Sequence, residues 1–213
     1  MVILVITIVV FIILAVVNFF INLYVAIVIH ELGHYVFRKM FGVKTCVVIG
    51  YRFKHLHIGD WHFGFPFSSV GGANHPGSYK TLGPTWKFIL VISAGGIFNF
   101  IAMVLFWIIA VTYFNHHPIW YFIFNFAALM EFAGVFNILL PVVQYRKPNG
   151  RLKTKFNLDF SNSNLELVSD AFWVRIVWMV KRKPELRERI NYIIKNNVSR
   201  MEKKIEKICN CDK

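Results

Sequence analysis

His30, Glu31 and His34, in the run His30-Glu31-Leu32-Gly33-His34, are the residues of this chain best suited to chemistry. In a helix, His30 and His34 lie four apart and share one face. Two imidazoles can then bind one Zn²⁺, while Glu31, one residue on, reaches the metal's water as general base. The competing reading is a pair of interfacial histidines beside a helix-end carboxylate. An acid and two histidines at a membrane boundary are costly without a role, which favours the metal site. The pentapeptide closes an apolar run, residues 2–29, that contains no Lys, Arg, Asp or Glu. A metal site is therefore expected where a membrane helix ends.

The elements that must position these groups follow from composition. Apolar residues make up 56% of the 213 and aromatics 17%, and the mean hydropathy is +0.52, values of an integral membrane protein. Three stretches are long enough to span a bilayer: residues 2–29, 88–114 and 119–143, the last with Glu131 as its one charge. The first is too long for a signal-peptide core and has no basic flank, so it should remain as a helix. Arg38, Lys39, Lys44, Arg52, Lys54, Lys80 and Lys87 follow the first span, and the rest of the 24 Lys and Arg follow Val143. The turn Asn115-His116-His117-Pro118 carries none. By the positive-inside rule the N-terminus and that turn face outward, and the pentapeptide, middle segment and tail face the cytosol at a cell membrane. The net charge of +13 then reads as a topology and lipid-headgroup feature, and no nucleic-acid partner is expected.

The segment 42–86 leaves the helical pattern. Residues 42–50, 57–63 and 65–70 read as short strands of a small cytosolic-face sheet, whose open edge could take an extended peptide. A short lid joining two helices is the other reading, and both stay open. His55 and His57 share one side of a strand but find no third ligand at convincing spacing, so with His62 they read as an aromatic-rich interface. Cys46, Cys209 and Cys211 fall on the expected cytosolic side, so no disulfide is expected. Cys209-Asn210-Cys211 reads as a reduced tail, two thiols alone making a poor closed metal site.

These residues resemble the site-2 proteases, zinc metalloproteases that cut substrates within or beside the membrane. After His30-Glu-Leu-Gly-His34 the similarity continues in order through Gly42-Val-Lys44, Val70-Gly71-Gly72, Ser93-Ala-Gly-Gly-Ile-Phe-Asn99 and Phe136-Asn-Ile-Leu-Leu-Pro141. The resemblance implies a three-helix metalloprotease core, one Zn²⁺ per chain, and Asn99 and Asn137 as candidates for holding the substrate backbone or the oxyanion. Interhelical hydrogen bonding is the plainer reading of each Asn. Two departures stand out. The family's third ligand is an Asp in an Asp-Gly pair, and no Asp-Gly occurs here; Asn149 precedes Gly150 instead. Asp159, after a longer loop and just before an expected helix, is the favoured third ligand. Asn149 follows, and Asp170 comes third because it would fall inside that helix. Asn137 and Pro141 are also separated by three residues where the family has two.

Together these readings give an all-α polytopic membrane protein. Residues 1–160 form the protease core, with the β-rich segment 42–86, and residues 161–213 form a basic helical tail. In that tail Ser163 would cap an interfacial helix over residues 165–180, and Pro184 would open a second helix with an apolar stripe. The stripe could pair with a second copy of the chain or pack on the helix before it. The expected activity is zinc-dependent cleavage of a membrane-anchored protein or precursor peptide, with His30, His34 and Asp159 as ligands and Glu31 as base. An inactive relative serving as a membrane-protein chaperone or scaffold is the alternative. Glu131, six residues before Asn137 and on roughly the same face, is a further candidate whose plainer role is a buried polar contact.

Overall fold

The computed structural model describes residues 2–50, 56–64, 72–74, 86–139, 143–146, 152–155, 165–168, 170–182 and 208–209. Three helices are long and apolar enough to cross a membrane, α1 (Val2–Met40), α2 (Trp86–Tyr113) and α3 (Pro118–Leu139), as the sequence leads one to expect. The largest boundary difference is in α1, which continues eleven residues past Ile29, so that the pentapeptide lies inside a helix. At about 1.5 Å per residue, its 39 residues extend well beyond a hydrocarbon core of roughly 30 Å. The helix stops at Gly42, where φ is +69°. There Val43 N–H donates to the Arg38 carbonyl and Gly42 N–H to that of Lys39, both at 3.0 Å, the double bond of a glycine-terminated helix.

Helix α2 is the centre of the bundle and contacts both other spans. Its buried positions Ala94, Gly95, Gly96, Ala102 and Ala110 are small, so neighbouring backbones approach closely. A Cβ on Gly33 of α1 would run into the Ala94 carbonyl, its carbon 2.7 Å away. Outward, Leu4, Phe11, Leu14, Phe100 and Trp107 remain exposed, the pattern of a lipid-facing surface. Phe19–Phe126 and Phe106–Phe124 ring contacts join α3 to its two neighbours.

Two small sheets accompany the helices. The first has the order β2-β3-β1-β4, from β1 (Val47–Ile49), β2 (Leu56–Ile58), β3 (Trp61–Phe63) and β4 (Gly72–Asn74). Strand β1 runs parallel to β3 and antiparallel to β4. Residues 57–63, expected as one strand, fold instead as the β2–β3 hairpin. Gly59, at φ +60°, takes the first of the two turn positions, a place glycine fills without steric cost. Asp60 in that turn accepts hydrogen bonds from Lys39 at 2.6 Å and Tyr35 at 3.1 Å, which docks the sheet on the end of α1. The expected strand 65–70 lies outside the described residues.

The second sheet, β6-β5-β7, was not expected; it joins β5 (Val143–Arg146), β6 (Leu152–Lys155) and β7 (Leu165–Val168), all antiparallel. Residues 165–168 thus form a strand where a capped helix was expected, and α4 (Asp170–Arg182) begins only afterwards. Pairing with β5 decides the matter, because a short apolar run fits either period. Trp173, Val174 and Val177 of α4 pack against Phe88, Ile89 and Ile92 at the start of α2. The second tail helix expected after Pro184 lies outside the described residues, apart from a short helical piece at Ile208 and Cys209.

Candidate metal centre

His30 and His34 project from α1 toward α2, both buried, at 8% and 7% exposure. His34 Nδ1 lies 2.6 Å from the Val91 carbonyl of α2. A carbonyl only accepts, so Nδ1 carries the proton and Nε2 presents its lone pair. His30 Nδ1 lies 3.1 Å from Asn99 Oδ1, and the Asn99 amide nitrogen donates to the Ala26 carbonyl at 3.3 Å. That second bond orients the Asn99 amide, so His30 too donates from Nδ1 and turns Nε2 free of its own N–H.

The two Nε2 atoms stand 3.2 Å apart. Asp170 Oδ2, at the first residue of α4, lies 3.0 Å from His30 Nε2 and 3.3 Å from His34 Nε2. Three acceptor atoms this close repel unless a cation lies among them. A tetrahedral ion with ligands at about 2.0–2.1 Å spaces them roughly 3.3 Å apart, so the set fits Zn²⁺. Space for it is kept by Gly95, whose added Cβ would sit 2.6 Å from both His30 Nε2 and His34 Nε2.

The remaining sequence candidates fall around this point. Asn137 of α3 donates from Nδ2 to His30 Nε2 at 3.1 Å and to Asp170 Oδ2 at 3.3 Å, so it faces the ligand atoms. Asn99 is 1% exposed, with both ends of its amide engaged. Glu31 is buried at 6% exposure beside His30 in the sequence. Glu131 is 1% exposed within α3, and its Oε2 meets no hydrogen-bond partner among the described residues. Asp159 and Asn149 lie outside the described residues. Among the described residues, the carboxylate that stands with the two histidines is Asp170, ranked last by sequence. It could have been found from spacing, since Asp170, Trp173, Val174 and Val177 fall three, four and seven apart on one helix face.

A family model for peptidase family M50 matches residues 18–210. The chain belongs to peptidase family M50. This is the site-2 protease family that the ordered motifs resemble, a family of zinc metalloproteases. No curated protein and no solved structure matches the chain. In this M50 member the matched region contains the pentapeptide, all of α2 to α4, and Asp170.

Proposed function

We propose that the protein is a zinc-dependent intramembrane endopeptidase that cleaves a membrane-anchored protein or precursor peptide. The observation carrying this reading is the convergence of His30 Nε2, His34 Nε2 and Asp170 Oδ2 within 3.3 Å of one another beside buried Glu31, in a bundle of membrane-length helices. His30, His34 and Asp170 would hold one Zn²⁺, leaving a fourth position open as in catalytic rather than structural sites. When bound, the ion supplies Lewis acidity for a peptide carbonyl and lowers the pKa of water toward about 7. Glu31 accepts a proton from the attacking water on its carboxylate and returns it to the leaving amine nitrogen. Asn137 offers its Nδ2 protons to the carbonyl oxygen as negative charge develops there. Asn99 acts through His30, fixing its tautomer and ring plane. The distribution of Lys and Arg supports an active site open to the cytosol and an N-terminus outside.

The test is zinc content and cleavage of a transmembrane reporter by full-length protein in detergent. Glu31→Gln should keep its zinc and lose cleavage; the double variant His30→Ala/His34→Ala should lose one zinc equivalent along with cleavage. Equal metal content in that double variant and the wild type would overturn the reading.

A further inference from the structure

A second group of donors lies on the β1–β3 sheet, apart from the centre just described. His62 of β3 pairs in register with Val48 of β1, and Cys46 lies two residues before Val48, so Cys46 and His62 share one face of the sheet. That face receives the end of the chain, where Ile208 and Cys209 pack against Val48. The structure joins Cys46 to Cys209 as a disulfide across 163 residues, in contrast to the sequence expectation of none. The expectation rested on topology alone, whereas the packing of Cys209 on β1 brings the two sulfurs together.

A disulfide accounts for the two sulfurs but not for the imidazole beside them. One ring nitrogen of His62 and both sulfurs all lie within 4.8 Å of one another, and His62 is buried at 5% exposure. His57, directly opposite His62 on β2, stacks edge-on to it with ring centroids 4.3 Å apart. Two thiols and an imidazole drawn from three separate stretches of chain, with a second imidazole adjacent, make the donor set of a closed structural zinc site. The tail motif and the strand histidines, each too poor in donors alone, complete one another only through the fold.

We propose that Cys46, His62 and Cys209 form a second metal site, which binds Zn²⁺ when the cysteines are reduced and fastens the C-terminal end to the sheet. Opening the disulfide takes two electrons and two protons from a dithiol reductant, which leaves as its own disulfide. Zn²⁺ then displaces the two thiol protons and is held by two thiolates and the His62 imidazole, beside which the His57 ring is stacked. Because the sheet is docked on α1 through Asp60, the site fixes the tail to the helix that carries His30 and His34.

The experiment uses full-length protein in detergent, kept under a phosphine reductant and loaded with Zn²⁺ or Co²⁺. In the His30→Ala/His34→Ala background, one metal per chain should remain, falling to none on adding Cys46→Ser or Cys209→Ser. Otherwise wild-type protein loaded with Co²⁺ should show a thiolate-to-cobalt charge-transfer band that Cys209→Ser abolishes. No metal in the reduced double-histidine variant together with no such band would overturn the proposal. So would mass spectrometry finding Cys46 and Cys209 still joined in reductant-treated protein. Neither result touches the first centre, whose loss is read in the double-histidine variant itself.

Discussion

Asn99 holds His30 by a 3.1 Å hydrogen bond from His30 Nδ1 to Asn99 Oδ1, and the other end of the same amide is fixed on the Ala26 carbonyl one turn earlier in α1. One side chain of α2 thus sets both the tautomer of His30 and the register of the helix that carries it. Helix α3 closes over it at Gly134, where an added Cβ would come within 2.8 Å of Asn99 Cγ. Asn99→Ala should weaken zinc binding by about 10–100-fold, the usual effect of losing an outer partner of a metal-bound histidine. Chelator competition on detergent-solubilised protein measures it, and an unchanged affinity would remove Asn99 from the centre's support.

Gly95→Ala should abolish metal binding while leaving the bundle assembled. The new methyl would intrude on His30 and His34 ring atoms, each held by a hydrogen bond on its far side, so neither ring can swing away without losing Asn99 or the Val91 carbonyl. Metal analysis combined with helical circular dichroism separates the two effects. A variant that retains its zinc would show that the rings have room to move.

Gly33→Ala acts on the scaffold instead. Its Cβ meets the backbone of Ala94 rather than a mobile side-chain end, so α1 and α2 must separate. The expected cost is about 1–3 kcal/mol, as for other overpacked sites. It should appear as a lower melting temperature in detergent, with Gly33→Ser at least as severe.

The spans were legible because a window free of charge has few alternatives to a membrane helix, and the pentapeptide was legible because two histidines and a glutamate lie within about one turn. What escaped depended on contacts between distant segments. Leu165 to Val168 becomes a strand by pairing with β5, and that moves the start of α4 to Asp170 and turns a residue expected inside a helix into one at its tip. Cys46, His62 and Cys209 are likewise scattered in sequence and meet only through parallel β1–β3 pairing and the packing of the tail. The end of α1 escaped for a different reason. Residues 30–40 combine charges with helix-forming residues, so hydropathy drops although the helix continues to Met40.

Acid should loosen the sheet from α1. The Asp60 carboxyl is held below the ordinary carboxylate range, chiefly by its hydrogen bond with Lys39, which together with Tyr35 outweighs the opposing effect of burial. A carboxyl whose folded-state pKa is depressed contributes its stabilisation above the unfolded value of about 3.9 and loses it as pH falls through the folded value. Docking should therefore be insensitive to pH from about 5 to 8 and weaken only below about 4. Asp60→Asn should expose the segment 42–86 to limited proteolysis at neutral pH, and cleavage no faster than in wild type would show that this tie does not hold the sheet.

The third ligand separates the sequence reading from the geometry most sharply. If Asp170 completes the centre, Asp170→Ala removes one of three ligands and leaves the two Nε2 lone pairs 3.2 Å apart without a counter-charge, so zinc and cleavage should both be lost. Asp170→Asn keeps the shape and a weak oxygen donor but no charge, so it should fold as wild type and hold zinc at least about 10-fold more weakly. Asp159→Ala and Asn149→Ala should retain the metal. Zinc content of the four variants, with helical content as the folding control, decides between them: zinc lost in Asp159→Ala and kept in Asp170→Ala would return the ligand to Asp159. Position strengthens the case for Asp170, because a carboxylate at the first turn of α4 is favoured by the helix dipole while the Trp173, Val174 and Val177 face holds the helix against α2. Loosening that face should then weaken zinc binding without touching a ligand, and Val177→Ala, about 10 Å along the helix from Asp170, is the variant that reads it.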